Sequence, residues 1–221
     1  VHATFMPKPL EGVQGSGMHM HFSMFAGEDN AFYSDDDPYN LSPTAKQFMA
    51  GLLRHAAEIT AITNQTVNSY KRLVPGFEAP VHISWARNNR SGLIRVPIPK
   101  RGNPSATRLE YRSPDPACNP YLAFSVILAA GLKGISEGYE LAPEAAANLF
   151  ELDDAALAAL SIETLPQSLS DSLKVMEQST LVREAPGEHI FEWFLRNKRS
   201  EWRAYKTHVS QFEFDRYLRA L

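Results

Sequence analysis

Apolar and polar residues alternate near the start of the chain. In GSGMHMHFSMF (residues 15–25), Met18, Met20 and Phe22 alternate with His19, His21 and Ser23. A period of two predicts a strand with the methionines and Phe22 on a core face and the histidines and Ser23 on a wet one. HATFM, ahead of it, also reads as extended, and the Pro/Gly loop PKPLEGVQGSG separates the two. A polar, acidic loop, AGEDNAFYSDDDPYN, follows. The period then changes. In SPTAKQFMAGLLRHAAEITAIT (residues 42–63), Phe48, Leu52, Ile59 and Ile62 fall on roughly one side, which predicts one long helix. Ser42 is suited to cap it and Pro43 to its first position.

NSYKRLVPGFEAP (residues 68–80) is punctuated by Pro75, Gly76 and Pro80 and reads as a loop. Three short strands are expected next, in VHISWA, GLIRVP and TRLEYR. From Asn119 the pattern turns helical. NPYLAFSVILAAGLKGISEGYEL is apolar on most sides, which predicts a buried helix capped by Asn119 with Pro120 in its first turn. Shorter helices are expected near residues 153–160, 168–178, 187–205 and 210–219. Residues 1–117 are thus mainly strands, loops and one long helix, and residues 118–221 mainly helical. Strands first and helices later suggest an α+β fold with antiparallel strands.

Composition narrows the function. The 221 residues are 44% hydrophobic and 21% charged, with a formal net charge of -3. That balance excludes a general polyanion binder, so no nucleic-acid partner is expected. No apolar run approaches the ~20 residues of a spanning helix, so no membrane is expected either. The single cysteine, Cys118, allows no internal disulfide and fits a reducing, cytoplasmic setting. No G-x-x-x-x-G-K-[ST] phosphate loop is present. The chain starts on Val1 in what reads as strand, and is expected to be a piece of a longer protein.

The candidate chemistry lies on strands. In TRLEYR, alternation puts Arg108, Glu110 and Arg112 on one face. Flanking cations favour the ionised glutamate, a hard ligand for Mg²⁺ or Mn²⁺ and a poor general base. His19 and His21, two apart on a strand, could both reach one ligand, and an imidazole can bind a metal. Seven arginines (Arg72, Arg87, Arg90, Arg95, Arg101, Arg108 and Arg112) crowd one stretch of a net acidic chain. Their bidentate forks suit phosphate and carboxylate. Each feature has a plainer reading: a solvated strand face, structural histidines, and an anion-binding surface without catalysis.

Taken in order, these segments resemble the class I glutamine synthetases. KPLEGVQGSGMHMHFS resembles that family's ATP-region signature. NSYKRLVPGFEAP resembles its glutamate-site arginine and flap loop, and NNRSGLIRVP and RLEYRSPDPACNPYLA the blocks that follow. APGEHIFEWFLRNKRSEW resembles its C-terminal region. The resemblance spans essentially the whole chain and implies the C-terminal part of the catalytic domain, without the N-terminal domain. It implies that His19 and Glu110 bind a divalent metal, Mg²⁺ or Mn²⁺, that contacts ATP. It implies that Arg90, Arg95 and Arg108 meet the phosphates, that Arg72 and Arg112 hold glutamate, and that His21 and Ser23 touch the nucleotide. Gly15 matches a backbone contact to glutamate, and Glu78 the flap residue that closes the site and helps deprotonate ammonium. The reaction implied joins ammonia to glutamate through a γ-glutamyl phosphate, with ATP as co-substrate, in a ring-forming oligomer. Two departures stand out. Gln14 occupies the family's usual asparagine, which keeps open a related ligase acting on a polyamine or other amine. Phe150, in NLFEL, lacks the hydroxyl of the adenylylated tyrosine, which implies that this control is absent. A catalytically silent, synthetase-like structural protein is the reading from another class.

Overall fold

The computed structural model describes residues 3–76, 79–87, 91–98, 103–145 and 149–220. Its strands are β1 (Met20–Phe22), β2 (Phe25–Ala26), β3 (Asp29–Asn30), β4 (His82–Ala86), β5 (Gly92–Arg95) and β6 (Leu109–Tyr111). Its helices are α1 (Pro43–Arg54), α2 (Ala56–Thr63), α3 (Ser69–Arg72), α4 (Pro120–Ser136), α5 (Asp154–Ala159), α6 (Leu169–Glu177), α7 (Thr180–Glu184), α8 (Glu188–Thr207) and α9 (Gln211–Tyr217). The α+β order expected from the sequence stands. β2 and β3 form a small hairpin, and the other four strands form one sheet in the order β1-β6-β5-β4.

That sheet is mixed. β6 runs antiparallel to both neighbours, with His21 and Arg95 each opposite Glu110. β4 and β5 run parallel, where antiparallel strands were expected. A short strand carries no local mark of its neighbour's direction. The alternation in β1 is realised: Met20 is buried, Met18 and Phe22 pack against the core, and His19, His21 and Ser23 are exposed. HATFM differs from expectation, since its described residues, 3–6, join no sheet and leave Phe5 exposed.

The caps form as their residues dictate. Ser42 Oγ accepts from the Ala45 N–H, with Pro43 at the first position of α1. Asn119 Oδ1 accepts from the N–H groups of Tyr121 and Leu122 at the start of α4. The long helix expected over residues 42–63 is broken at His55, whose φ of -100° and ψ of 8° separate α1 from α2. The hydrophobic period runs on across this break. The break coincides with a local polar contact: His55 Nδ1 lies 2.8 Å from Glu58 Oε1, and Glu58 also accepts from Ser179 Oγ.

α1 crosses α4 at backbone contact. A Cβ on Gly134 would lie 2.1 Å from the Gln47 carbonyl oxygen, and one on Gly51 2.2 Å from that of Ala130. α4 departs from the expected full burial. Val126, Ile127 and Ala130 face the core, while Tyr121, Phe124, Leu128 and Leu132 line an exposed face. A helix apolar all round does not reveal which side is covered. α7, a single short helix after α6, was not anticipated. Among the described residues no helix is long and apolar enough to cross a membrane.

Candidate active site

Glu110 occupies the middle of β6, with Leu109 and Tyr111 on either side turned into the core. The residue is 4% exposed, and its carboxylate lies among cations. His19 Nδ1 is 2.9 Å from Oε1, Arg95 Nε is 2.8 Å from Oε2, and Arg112 Nε is 3.9 Å from Oε1. Oε2 is not aligned for a hydrogen bond with Arg95 and makes none. A buried carboxylate needs this compensation, because an isolated charge there would cost several kcal/mol. The arrangement answers the plus-minus-plus pattern of TRLEYR in a modified form. Arg112 is near Glu110, but among the described residues the closest guanidinium belongs to Arg95 on the neighbouring strand. Arg108 turns away, with Nε donating to His21 Nδ1 at 3.2 Å and Nη1 to the Ala106 carbonyl.

The His19–Glu110 spacing suits a divalent ion. Two ligands ~2.1 Å from an octahedral ion and at right angles to each other lie about 3.0 Å apart, and Nδ1 and Oε1 are 2.9 Å apart. Although His19 is exposed at one edge, the desolvation of its ring against the sheet and the nearby charge of Arg112 hold it below the ordinary histidine value, against the pull of Glu110. Its imidazole is therefore neutral at neutral pH, the form that binds metal. Among the described residues no group of three or more His, Cys, Asp or Glu could hold a metal. The chain's described share of such a site is this pair.

Arg72 lies behind the pair. It is 4% exposed, and Nη1 donates to the carbonyls of Ser113 and Pro114 and Nη2 to that of Arg112. Burial draws its guanidinium down to about 10, with Arg112 adding to the fall and Asp115 opposing it. Arg112 Nη1 donates to the Gly92 carbonyl at 3.3 Å. The two arginines expected at the glutamate end thus brace the exit of β6. The glycine loop covers Arg72: a Cβ on Gly17 would lie 2.5 Å from its Nη2, and one on Gly15 2.9 Å from its Cγ. A side chain at Gly17 would collide with the guanidinium, and one at Gly15 with the Pro7 carbonyl oxygen, 2.5 Å away, as well as with Arg72.

Ser23 is exposed just past β1. Glu78 and Arg90, the expected flap and phosphoryl-contacting residues, lie outside the described residues, as does Arg101. Arg87 sits apart from Glu110, its guanidinium over the Tyr39 ring at 5.1 Å. His19, Gly15, Arg72, Arg95, Glu110 and Arg112 are therefore brought together, with His21 and Arg108 paired alongside. The sequence reading missed a buried support beneath them. Asn64 donates to Asp115 Oδ2 at 3.0 Å and to the Ser113 carbonyl at 2.9 Å, and the Ala117 N–H donates to Asp115 Oδ1. Burial raises the Asp115 carboxyl, and Ser69, Asn64, the Ala117 N–H and Arg72 all oppose that rise. Asp-Pro in SPDPACNP was its sequence signal, since Asp readily bonds the backbone two residues on.

Comparison with known proteins identifies the family. A family description, "Glutamine synthetase, catalytic domain", matches residues 1–217. The glutamine synthetase of Mycolicibacterium smegmatis is 55% identical over 218 residues, 99% of this chain and 49% of that protein. That of Mycobacterium tuberculosis is 54% identical over 98% of this chain and 48% of its own length. That of Thermotoga maritima is 50% identical over 98% and 49%. The chain spans about half the length of the curated relatives it matches. Among solved structures, a GmaS/ADP complex superposes with a TM-score of 0.85 at 38% identity, over 97% of this chain and 49% of that one. With a family match over residues 1–217 and 55% identity across nearly its whole length to one glutamine synthetase, the chain belongs to the glutamine synthetase catalytic domain family.

Proposed function

We propose that the protein containing this chain joins ammonia to the γ-carboxylate of glutamate at the expense of ATP. The γ-phosphoryl group passes to a γ-carboxylate oxygen and ADP leaves. Ammonia nitrogen then attacks the acyl carbon, phosphate departs, and a proton is lost to yield glutamine. The observation that carries the reading is the His19–Glu110 pair, spaced 2.9 Å apart and ringed by Arg95 and Arg112. The 50–55% identity to glutamine synthetases supports ammonia over a larger amine as acceptor.

His19 Nδ1 and Glu110 Oε1 would hold Mg²⁺ or Mn²⁺. When bound, such an ion neutralises phosphoryl oxygens and so favours transfer. Arg95 and Arg108, with Arg90, offer forks to the phosphates, and charge aimed at the transferring group is the main catalytic resource in this chemistry. His21 and Ser23 lie on the exposed side of β1 where a nucleotide can reach them. Arg72 and Arg112, with the Gly15 backbone, orient glutamate. Glu78 closes over the site, excludes the water that would hydrolyse the acyl phosphate, and takes a proton from ammonium.

We assign the chain to the C-terminal part of a catalytic domain, working in the cytoplasm within a ring of identical subunits. The exposed apolar residues Phe212 and Phe214 of α9, with Leu218 just past its end, support assembly, since α9 buries no residue against its own body. The test is phosphate release from glutamate, ammonium and Mg-ATP. The full-length protein is expected to turn over with ammonium and much more slowly with putrescine. The 221-residue chain alone is expected to bind nucleotide weakly and not to turn over. Full activity of the chain alone would refute the division proposed here, and preference for putrescine would make the protein an amine ligase.

A further inference from the structure

Asn68 stands at the N-cap position of α3, where an asparagine ordinarily accepts from the N–H groups of the first turn. Here its side chain makes no cap bond. Capping is done instead by a Thr66–Ser69 pair: the Ser69 N–H donates to Thr66 Oγ1 at 3.1 Å, and the Thr66 N–H to Ser69 Oγ at 3.2 Å. The Asn68 carboxamide reaches 60 positions back along the chain to a single residue. The Lys8 N–H donates to Oδ1 at 2.7 Å, and Nδ2 donates to the Lys8 carbonyl at 3.0 Å. One side chain thereby pairs with both backbone groups of Lys8, as a neighbouring strand would.

Lys8 is at the base of the glycine loop. The Ser16 N–H donates to the Pro7 carbonyl at 2.8 Å and closes the loop, and Lys8 Nζ donates to the Val13 carbonyl across it. Gly15 and Gly17, on the returning arm of the loop either side of that closing bond, lie on the Arg72 side chain, and Gly15 also against the Pro7 carbonyl. Asn68 and Arg72 both belong to the Asn68–Arg72 turn, one at each end. That turn therefore grips the loop twice, by hydrogen bonds at Lys8 and by packing at Gly15 and Gly17.

We infer that Asn68 is a positioning residue: it holds the base of the loop so that the Gly15 backbone stays at the glutamate end of the site. Its effect on glutamate affinity rests on the ligase reading above, but its effect on loop order does not. The test uses the full-length protein, as wild type, Asn68→Ala and Asn68→Asp, by hydrogen exchange and steady-state kinetics. In Asn68→Ala, amides of residues 8–17 are expected to exchange about tenfold faster or more, while those of α4 are unchanged. Asn68→Asp keeps the acceptor for the Lys8 N–H and loses the donor, and its loop should fall between the other two. KM for glutamate is expected to rise several-fold in Asn68→Ala, with kcat and KM for ATP little changed, a split that general loosening of the fold would not give. Unchanged exchange in the loop, or an equal rise in every peptide, would overturn the inference. An inactive wild type would sink the ligase reading and leave the exchange result to decide the role of Asn68.

Discussion

Glu110 combines burial with a position on the wet side of a strand whose other residues are core. Its carboxylate is placed by backbone pairing with β1 and β5, not by a flexible loop, so its position is set before any ligand arrives. Replacing it by glutamine keeps the shape and removes the charge. Glu110→Gln is expected to weaken Mn²⁺ binding and lower kcat/KM for ATP by about a hundredfold or more, read by metal titration and phosphate release. His82 supports a pH prediction. It is 4% exposed, its Nδ1 has no hydrogen bond, and burial holds it below the ordinary 6.5. As pH falls from about 6.5, the unfolded chain takes up a proton that the folded one refuses, so this residue's contribution to stability falls with pH. The drop in urea midpoint between pH 7 and pH 5.5 should be smaller in His82→Asn than in wild type, the remainder reflecting His19, which shifts in the same direction.

Between elements, the α1–α4 crossing is the most sensitive joint. Alanine in a helix interior is ordinarily better than glycine by about 1 kcal/mol. At Gly134 a methyl would lie 2.7 Å from the Gly51 Cα as well as against the Gln47 carbonyl. Gly134→Ala is therefore expected to destabilise by about 1–3 kcal/mol, the opposite sign to helix propensity, as measured by denaturant unfolding. No local pattern announces that joint, because it depends on two glycines 83 positions apart meeting across a helix pair (Gly51 to Gly134). What the sequence makes legible is local: the Ser42–Pro43 and Asn119–Pro120 starts, the period of two in β1, and the alternation that aims Glu110. The break at His55, the parallel pairing of β4 with β5, and the exposed side of α4 depend on partners remote in sequence. The same division holds at the site. His19 and Glu110 stand out as residue types, but the Arg95 contact with Glu110 and the burial of Arg72 under the glycine loop follow from strand register and chain crossing.

At the scale of the whole molecule, α9 projects from a body it does not help to bury. Removing residues 209–221 from the full-length protein is expected to leave its thermal midpoint nearly unchanged while lowering the mass of the assembly. Light scattering and calorimetry on the same sample check both halves of that statement. α4 carries a different consequence. Tyr121, Phe124, Leu128 and Leu132 form an oily ridge along one side of the helix, each at least 43% exposed. Prepared by itself, the 221-residue chain should bind an apolar fluorescent dye while still natively folded, and clump as its concentration rises. Changing Leu128 and Leu132 to lysine should reduce both behaviours without unfolding it, which makes colloidal conduct, rather than catalysis, the first property an isolated preparation would reveal.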